Sequence, residues 1–351
     1  MSAYTVAAMR AEVDGLASDL AVLTGALGKQ LDELRSVEPA PRRIVLAGSG
    51  DSLYAAQAAE YAFDRLPHTT CVLYGTQRLL DYGLGRSLPE PAAATLVVGV
   101  SASGTSVALA AGLERARADG FRTLAIVGSA DTPVGRSAHH SVATELPKRP
   151  PSPGIRSYQA SLLTLLLLAE GYADASSAST VPGGDGLAAL PDMVEWAVRQ
   201  QAEPCRRLAE QILRTVPVQV LGGGPALGTA RYAAAKIIEG AGVPALGRDL
   251  EEWWHVERFA TEAGAPLIVL APPGPSHERA VRLCAQARDR GHLVAALAEP
   301  GDEEIREQAH LVLPLPGGCS PAWSPLIEHV FAAPLAADLA ELLGRPPFHR
   351  R

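Results

Sequence analysis

The chain has 351 residues, 47% hydrophobic and 20% charged, which is enough for two medium α/β lobes and too apolar for disorder. A formal net charge of −7, with no Lys/Arg cluster set against it, argues against a nucleic-acid surface. Four scattered cysteines (Cys71, Cys205, Cys284, Cys319) lack C-x-x-C or metal-ligand spacing, so reduced thiols are expected, with no disulfide and no metal.

Ala7 to Leu34 carries apolar residues at helical spacing and predicts one helix on the outside of a first lobe, ended by Glu38-Pro39-Ala40-Pro41. Arg43 to Ala47 is an apolar strand that enters Gly48-Ser49-Gly50-Asp51-Ser52 and then the helical pattern Leu53 to Arg65. That is a phosphate-binding type of βα unit. The dinucleotide fingerprint G-x-G-x-x-G is incomplete, because Tyr54 lies near where the third glycine belongs, so NAD is not expected and no cofactor is assigned.

A strand at Thr70 to Tyr74 precedes the stretch around which the chain is organised, Thr95 to Gly112. It reads as a buried strand, a turn Ser101-Ala102-Ser103-Gly104-Thr105-Ser106 with four hydroxyls in six residues, and an Ala/Leu-rich helix. Free N–H groups at a helix start carry about half a positive charge, and short hydroxyls can wrap an anion without crowding it. Strands at Arg122 to Val127 and near Ser141 to Leu146 complete a βαβ rhythm, which predicts a parallel sheet covered on both faces. A Pro-rich loop, 147–154, leads through Ile155-Arg156-Ser157-Tyr158-Gln159 into an apolar helix ending near Tyr172. Its apolar run, Leu162 to Ala169, is far short of the roughly 20 residues of a membrane span, and no leader pattern precedes it, so a soluble cytoplasmic protein with no membrane partner is expected.

Ala173 to Gly186, rich in Ser, Gly and Ala, reads as a linker. The division predicted is a first domain over 1–172, a linker over 173–186 and a second domain over 187–351. After the linker come an amphipathic helix over Leu187 to Arg214, a strand over Val216 to Gly222, a turn Gly222 to Ala226 and a helix from Leu227 to about Gly240. Strands at Pro266 to Ala271, Leu293 to Ala298 and Leu311 to Leu315 follow. The two halves share one plan, as expected from duplication of one lobe.

These segments resemble the tandem SIS (sugar isomerase) family, specifically the isomerase half of glucosamine-6-phosphate synthase and its relatives, over Met9 to about Leu343. Ser49-Gly50-Asp51-Ser52 lies where the family has C-G-T-S, Ser101 to Ser106 where it has S-Q-S-G-E-T, and Gly154 to Gln159 where it has G-V-A-S-T-K. The family's K-L-K-E matches Lys236-Ile237-Ile238-Glu239, and the His of its G-E-L-K-H-G-P, sixteen residues after that Glu, matches His255. The resemblance implies an α/β fold of two SIS lobes, each a parallel sheet flanked by helices on both faces. It also implies a sugar phosphate as ligand, held by Gly50, Asp51, Ser52, Ser101, Ala102, Ser103, Ser106, Ile155, Arg156 and Ser157, with Glu239, His255 and Lys236 catalytic. A homodimer with His255 contributed across the interface is implied as well.

Moving a proton between C1 and C2 of an open-chain sugar needs a carboxylate for the carbon-bound proton and an imidazole for the ring oxygen, each contributing typically about 10²–10⁴-fold. Glu239 and His255 supply these groups, and Lys236 lies one turn from Glu239 on the same helix face. Lysine is scarce, occurring only at 29, 148 and 236, so its presence there is informative. The sequence departs from the family at Asp51 (Thr), Ala102 (Gln), Arg156 (Ala), Gln159 (Lys) and Val256 (Gly). Arg156 is expected to offset Asp51 beside a phosphate. With neither a glutaminase segment nor a tail lysine legible in Gly344 to Arg351, glutamine-dependent amination is not expected. An aldose–ketose or amino-sugar phosphate isomerase, with or without deaminase activity, is the first reading. A fructosamine-phosphate deglycase and a non-catalytic sugar-phosphate-binding protein are the alternatives.

Overall fold

The computed structural model describes residues 4–84, 91–173, 186–213 and 217–349. The elements in the first part of the chain are α1 (Val6–Asp14), α2 (Leu16–Val37), β1 (Arg43–Gly48), α3 (Asp51–Asp64), β2 (Thr70–Gly75), α4 (Thr76–Tyr82), β3 (Thr95–Ser101), α5 (Val107–Ala118), β4 (Arg122–Val127), α6 (Pro133–Ser137), β5 (His140–Ala143) and α7 (Arg156–Tyr172). Next come α8 (Leu190–Ile212), β6 (Val218–Gly222), α9 (Pro225–Ala241), β7 (Ala245–Asp249), α10 (Leu250–His255) and β8 (Pro266–Leu270). The chain ends with α11 (His277–Asp289), β9 (Leu293–Ala298), α12 (Glu303–Gln308), β10 (Leu311–Pro314), α13 (Pro325–Glu328) and α14 (Ala332–Leu342).

Two parallel five-stranded sheets result, each flanked by helices. The first has the order β2-β1-β3-β4-β5 and the second β7-β6-β8-β9-β10, so the two repeat one topology. In each, the chain leaves the first strand to one side and returns on the other, which opens a crevice beyond the strand ends: between β1 and β3 in one sheet, between β6 and β8 in the other. Strands β1, β3, β4 and β6 consist mainly of Val, Ile, Leu and Ala, and almost every residue in them is buried. That is the pattern of strands covered on both faces.

By contacts the chain forms two compact units. One comprises residues 19–147 and 157–180; the other comprises 1–18, 148–156 and 181–351. The leading helix therefore departs from the single element expected over Ala7 to Leu34. It breaks at Gly15, whose N–H bonds the Glu12 carbonyl at 3.2 Å, while the Ala11 carbonyl that a continuous α-helix would use accepts from the Arg149 guanidinium. Thr5 caps α1, its hydroxyl accepting from the Ala8 N–H at 3.1 Å. α1 packs on α14, and Arg10 bonds Asp338 at 2.8 Å. The predicted linker lies, but for its ends, outside the described residues.

Three further elements were not expected, α4, α6 and β7. β7 is an edge strand with one buried residue, Ala245, so its apolar signal is weak. Gly247 within it is required by packing, since a Cβ there would lie 2.4 Å from Arg231 Cα on α9. Among the described residues no helix is long and apolar enough to cross a membrane. The run Leu162 to Ala169 is buried within this one chain, as is Trp253, so neither supplies the uncovered apolar surface on which a dimer would be inferred from composition.

Candidate functional site

In the first unit the two serine turns meet the sheet at its β1–β3 switch point. Gly50 ends the β1 turn at φ 55°, ψ −133°, a conformation that favours glycine, and hands the chain to α3. The first α-helical bond of that helix is Tyr54 N–H to the Gly50 carbonyl, 3.0 Å, which leaves the N–H groups of Asp51, Ser52 and Leu53 facing its N-terminal end. Asp51 occupies the first helical position. A carboxylate is favoured there by the helix N-terminus, and it competes for that field with any bound anion. The hydroxyl of Ser49 donates to Thr76 Oγ1 at 2.8 Å. Thr76 opens α4, a position the sequence reasoning passed over although Gly75-Thr76 repeats the strand-to-helix turn signal.

The second turn is braced internally. Ser101 is the buried last residue of β3, and its carbonyl accepts from Gly104 N–H at 3.0 Å. The Ala102 carbonyl accepts from Gly128 N–H at 3.0 Å, which ties the turn to the end of β4. Gly104 has φ 66°, and a Cβ on it would lie 2.3 Å from Thr132 Oγ1. Ser103 and Thr105 share a hydroxyl bond of 2.8 Å at the exposed tip. Ser106 caps α5, its Oγ accepting from Leu109 N–H at 3.3 Å while its own proton stays available. The hydroxyls at 52, 101, 103 and 106 thus sit on the two turns flanking one switch point, with two helix starts behind them.

In the second unit, α9 carries Lys236 and Glu239 in its last turns. The Lys236 side chain is fully buried and ion-paired to Glu239 Oε2, with Nζ 5.2 Å from the Tyr232 ring centre. Glu239 keeps 32% of its side chain exposed. A buried ammonium needs a partner, and a carboxylate near a helix C-terminus needs a cation. Each meets the other's requirement. The Tyr232 hydroxyl, one turn earlier, donates to the Gly154 carbonyl at 3.3 Å. Phe348 N–H bonds the Glu239 carbonyl at 2.6 Å, and its ring packs on Tyr4.

His255 stands apart at the end of α10, 71% exposed and 3.4 Å from Glu251 Oε2. Asp249 caps that helix through the Glu251 N–H, 2.8 Å. Ile155 is fully buried, so its side chain packs in the interior. Arg156 begins α7 almost completely buried, with Nη1 3.6 Å from Glu12 Oε1 and its own N–H 3.3 Å from Glu12 Oε2. Arg156 thus has a carboxylate beside it in Glu12. No local spacing could have shown this, because Glu12 lies 144 positions away. Ser157 follows at the second position of α7. Among the described residues no cluster of His, Cys, Asp and Glu is arranged to hold a metal ion.

Residues 40–171 match the family model for the SIS domain. The first lobe is a SIS domain. Over 335 residues the chain is 27% identical to the glutamine–fructose-6-phosphate aminotransferase (isomerizing) of Corynebacterium glutamicum, covering 90% of this chain and 52% of that protein. The chain therefore spans about half the length of the curated relatives it matches. Among solved structures it is similar to the C-terminal domain of glucosamine-fructose-6-phosphate aminotransferase from Francisella tularensis, with TM-score 0.78, 14% identity and 98% of both chains covered. It is also similar to tagatose-6-phosphate ketose/aldose isomerase from Escherichia coli, with TM-score 0.74, 16% identity, 98% of this chain and 96% of that one. The two sheets together have the fold of these two solved structures.

Proposed function

We propose that the chain is a phosphosugar isomerase acting on an aldose/ketose phosphate or amino-sugar phosphate by acid–base proton transfer. The carrying observation is the buried Lys236 bonded to one oxygen of a partly exposed Glu239 in a SIS lobe. Lys236 fixes the carboxylate through Oε2, and the other oxygen is left to take the C2 proton of the aldose and return it to C1. The phosphate is bound by Ser52, Ser101, Ser103 and Ser106, with helix-start N–H groups supplying the rest of its hydrogen bonds. His255 serves ring opening. Its exposed position on α10 fits a role at the site of a second copy, so the active form is a homodimer. The domains divide near the segment 173–186.

The test is to incubate the protein with ketose phosphates and amino-sugar phosphates in D₂O and follow sugar, ammonia and C1/C2 deuterium by NMR. Deuterium entering C2 with aldose formation supports the isomerase. Ammonia release identifies a deaminase, and scission of a fructosamine phosphate a deglycase. Saturable binding with no exchange refutes catalysis altogether.

A further inference from the structure

The last strand of each sheet is held at its start by a histidine, and both lobes do this in the same way. His139 stands one residue before β5, and His310 one residue before β10. The His139 N–H donates to the Thr123 carbonyl at 3.2 Å, and the Thr123 N–H donates back to His139 Nδ1 at 3.2 Å. In the second lobe the His310 N–H donates to the Val294 carbonyl at 2.8 Å, and the Val294 N–H to His310 Nδ1 at 3.1 Å. Each imidazole thus stands in for a backbone carbonyl. It extends by one further pair the ladder of an edge strand that is only four residues long.

The supports around the two histidines repeat as well. Arg117, in the last turn of α5, donates to the Ser137 carbonyl at 3.3 Å, shortly before His139. Arg288, in the last turn of α11, donates to the Glu307 carbonyl, shortly before His310. At the far end of each strand Gln30 Nε2 donates to the Ala143 carbonyl at 3.0 Å, and Gln201 Nε2 to the Pro314 carbonyl at 2.8 Å. The arginine, the N–H donor, the histidine, the strand-end residue and the glutamine of the first lobe all recur 171 positions later. Two exchanges weaken the second set. Ala143 N–H donates to Gln30 Oε1 at 2.9 Å, whereas proline at 314 has no N–H, and Gln201 Oε1 is buried without a partner. Thr123 Oγ1 lies 2.9 Å from His139 Nδ1, whereas Val294 offers no hydroxyl.

We infer that His139 and His310 are acid-sensitive latches: the neutral imidazole closes the start of β5 or β10, and protonation frees it, more completely at β10. An imidazole accepts only at a nitrogen that carries no proton, so with an N–H facing Nδ1 the ring's proton lies on Nε2. A second proton can go only to Nδ1. There it turns the acceptor into a donor aimed at an N–H group, and the bond is lost. The Thr123 hydroxyl can turn round and accept from the charged ring, so β5 keeps one contact, and Val294 gives β10 none. Burial, Arg117 and His140 push the His139 imidazole below its ordinary 6.5, against Glu38, which bonds His140 at 3.0 Å. The unfolded chain therefore binds the proton first. The latch contributes its full stability above 6.5 and loses it as the pH falls through the lowered value. Near His310 the ends of the helices leading to β9 and β10 carry Arg288 and Asp289 on α11 and Arg306 and Glu307 on α12, equal numbers of each sign. α8 meets the far end of β10 through the uncharged Gln201.

The experiment follows the ¹⁵N-labelled full chain by NMR from about pH 8 to about pH 5, reading the ring nitrogens of His139 and His310 and hydrogen exchange at the Thr123 and Val294 amides. At the upper pH both Nδ1 atoms should be unprotonated. As the pH falls each amide should shift with the midpoint of its own ring. Its protection factor should drop about fivefold, the worth of one hydrogen bond, with the larger drop at Val294. His139→Asn and His310→Asn place an amide oxygen where Nδ1 stands, and that oxygen does not titrate. Each variant should make the protection factor at its own amide independent of pH and leave the other lobe's latch as it was. A proton on Nδ1 at the upper pH, amides that do not follow their rings, or the same pH dependence in the Asn variants overturns the inference. The readout needs neither ligand nor turnover, so it is independent of the proposed isomerase activity.

Discussion

Replacing Glu328 by Gln keeps the side chain's shape and the bond from Ser324, and removes a buried titration. In the folded protein burial moves this carboxyl from its ordinary 4.5 up to about 7. The folded state therefore binds more protons than the unfolded chain between those values, and stability falls as pH rises through the window. Below pH 4.5 both states are protonated; above about 7 both are ionised and the penalty is constant. At 1.36 kcal/mol per unit the full effect is about 3 kcal/mol, most of which falls between pH 5 and pH 8. The neighbouring His329 acts in the opposite sense, since burial pushes its imidazole down to about 3 and stability rises with pH from there to 6.5. Only the difference between the two proteins isolates Glu328. All four tryptophans (Trp196, Trp253, Trp254, Trp323) lie in the unit that holds Glu328, so tryptophan fluorescence in urea reports that unit. From pH 5 to pH 8 the wild type should lose about 2 kcal/mol relative to Glu328→Gln. Parallel pH curves for the two proteins would refute the reasoning.

The remaining predictions concern the proposed sugar-phosphate site. Glu239→Gln should lower turnover about 10²-fold or more with little change in ligand affinity, measured by steady-state kinetics and calorimetry; parallel loss of both would make Glu239 a structural partner of Lys236. His255→Asn should regain part of its lost rate when substrate is supplied in open-chain form, and the Glu239 variant should not. Ser106→Ala should cost about 1 kcal/mol in thermal or urea unfolding through loss of the α5 cap, and Ser106→Gly only a few tenths. Both should weaken phosphate binding alike if the hydroxyl holds the anion. Gly104→Ala, which forces φ 66° on alanine and a methyl to 2.3 Å from Thr132 Oγ1, should both destabilise the first unit and weaken phosphate binding, as read by unfolding and by isothermal titration.

The parts of this molecule legible in sequence are those with a local signature. Strands such as Arg43–Gly48 and Thr95–Ser101 announce themselves by continuous apolar runs, and the turns after them by Gly and Ser at helix starts. Lys236 and Glu239 share a helix, so spacing alone predicts their pairing. What the sequence hides is long-range. The bonding of Arg149 to the Ala11 carbonyl, at the break in the first helix, spans 138 positions, and the pairing of Arg156 with Glu12 spans 144. β7 is missed because an edge strand needs little apolar content, and Glu328 because it lies in an apolar helical run where a single acid gives no periodic signal.

The two lobes share one strand order and differ in what lines their crevices. A parallel sheet of this order offers one crevice per lobe, and a sugar phosphate needs only one dense set of hydroxyls and helix starts. The second lobe's crevice is lined instead by prolines and a buried acid. The scaffold itself is held. Gly224 keeps the backbone conformation of Gly50, and the strand order is the same. The Lys236–Glu239 pair sits at the opposite end of α9 from that crevice.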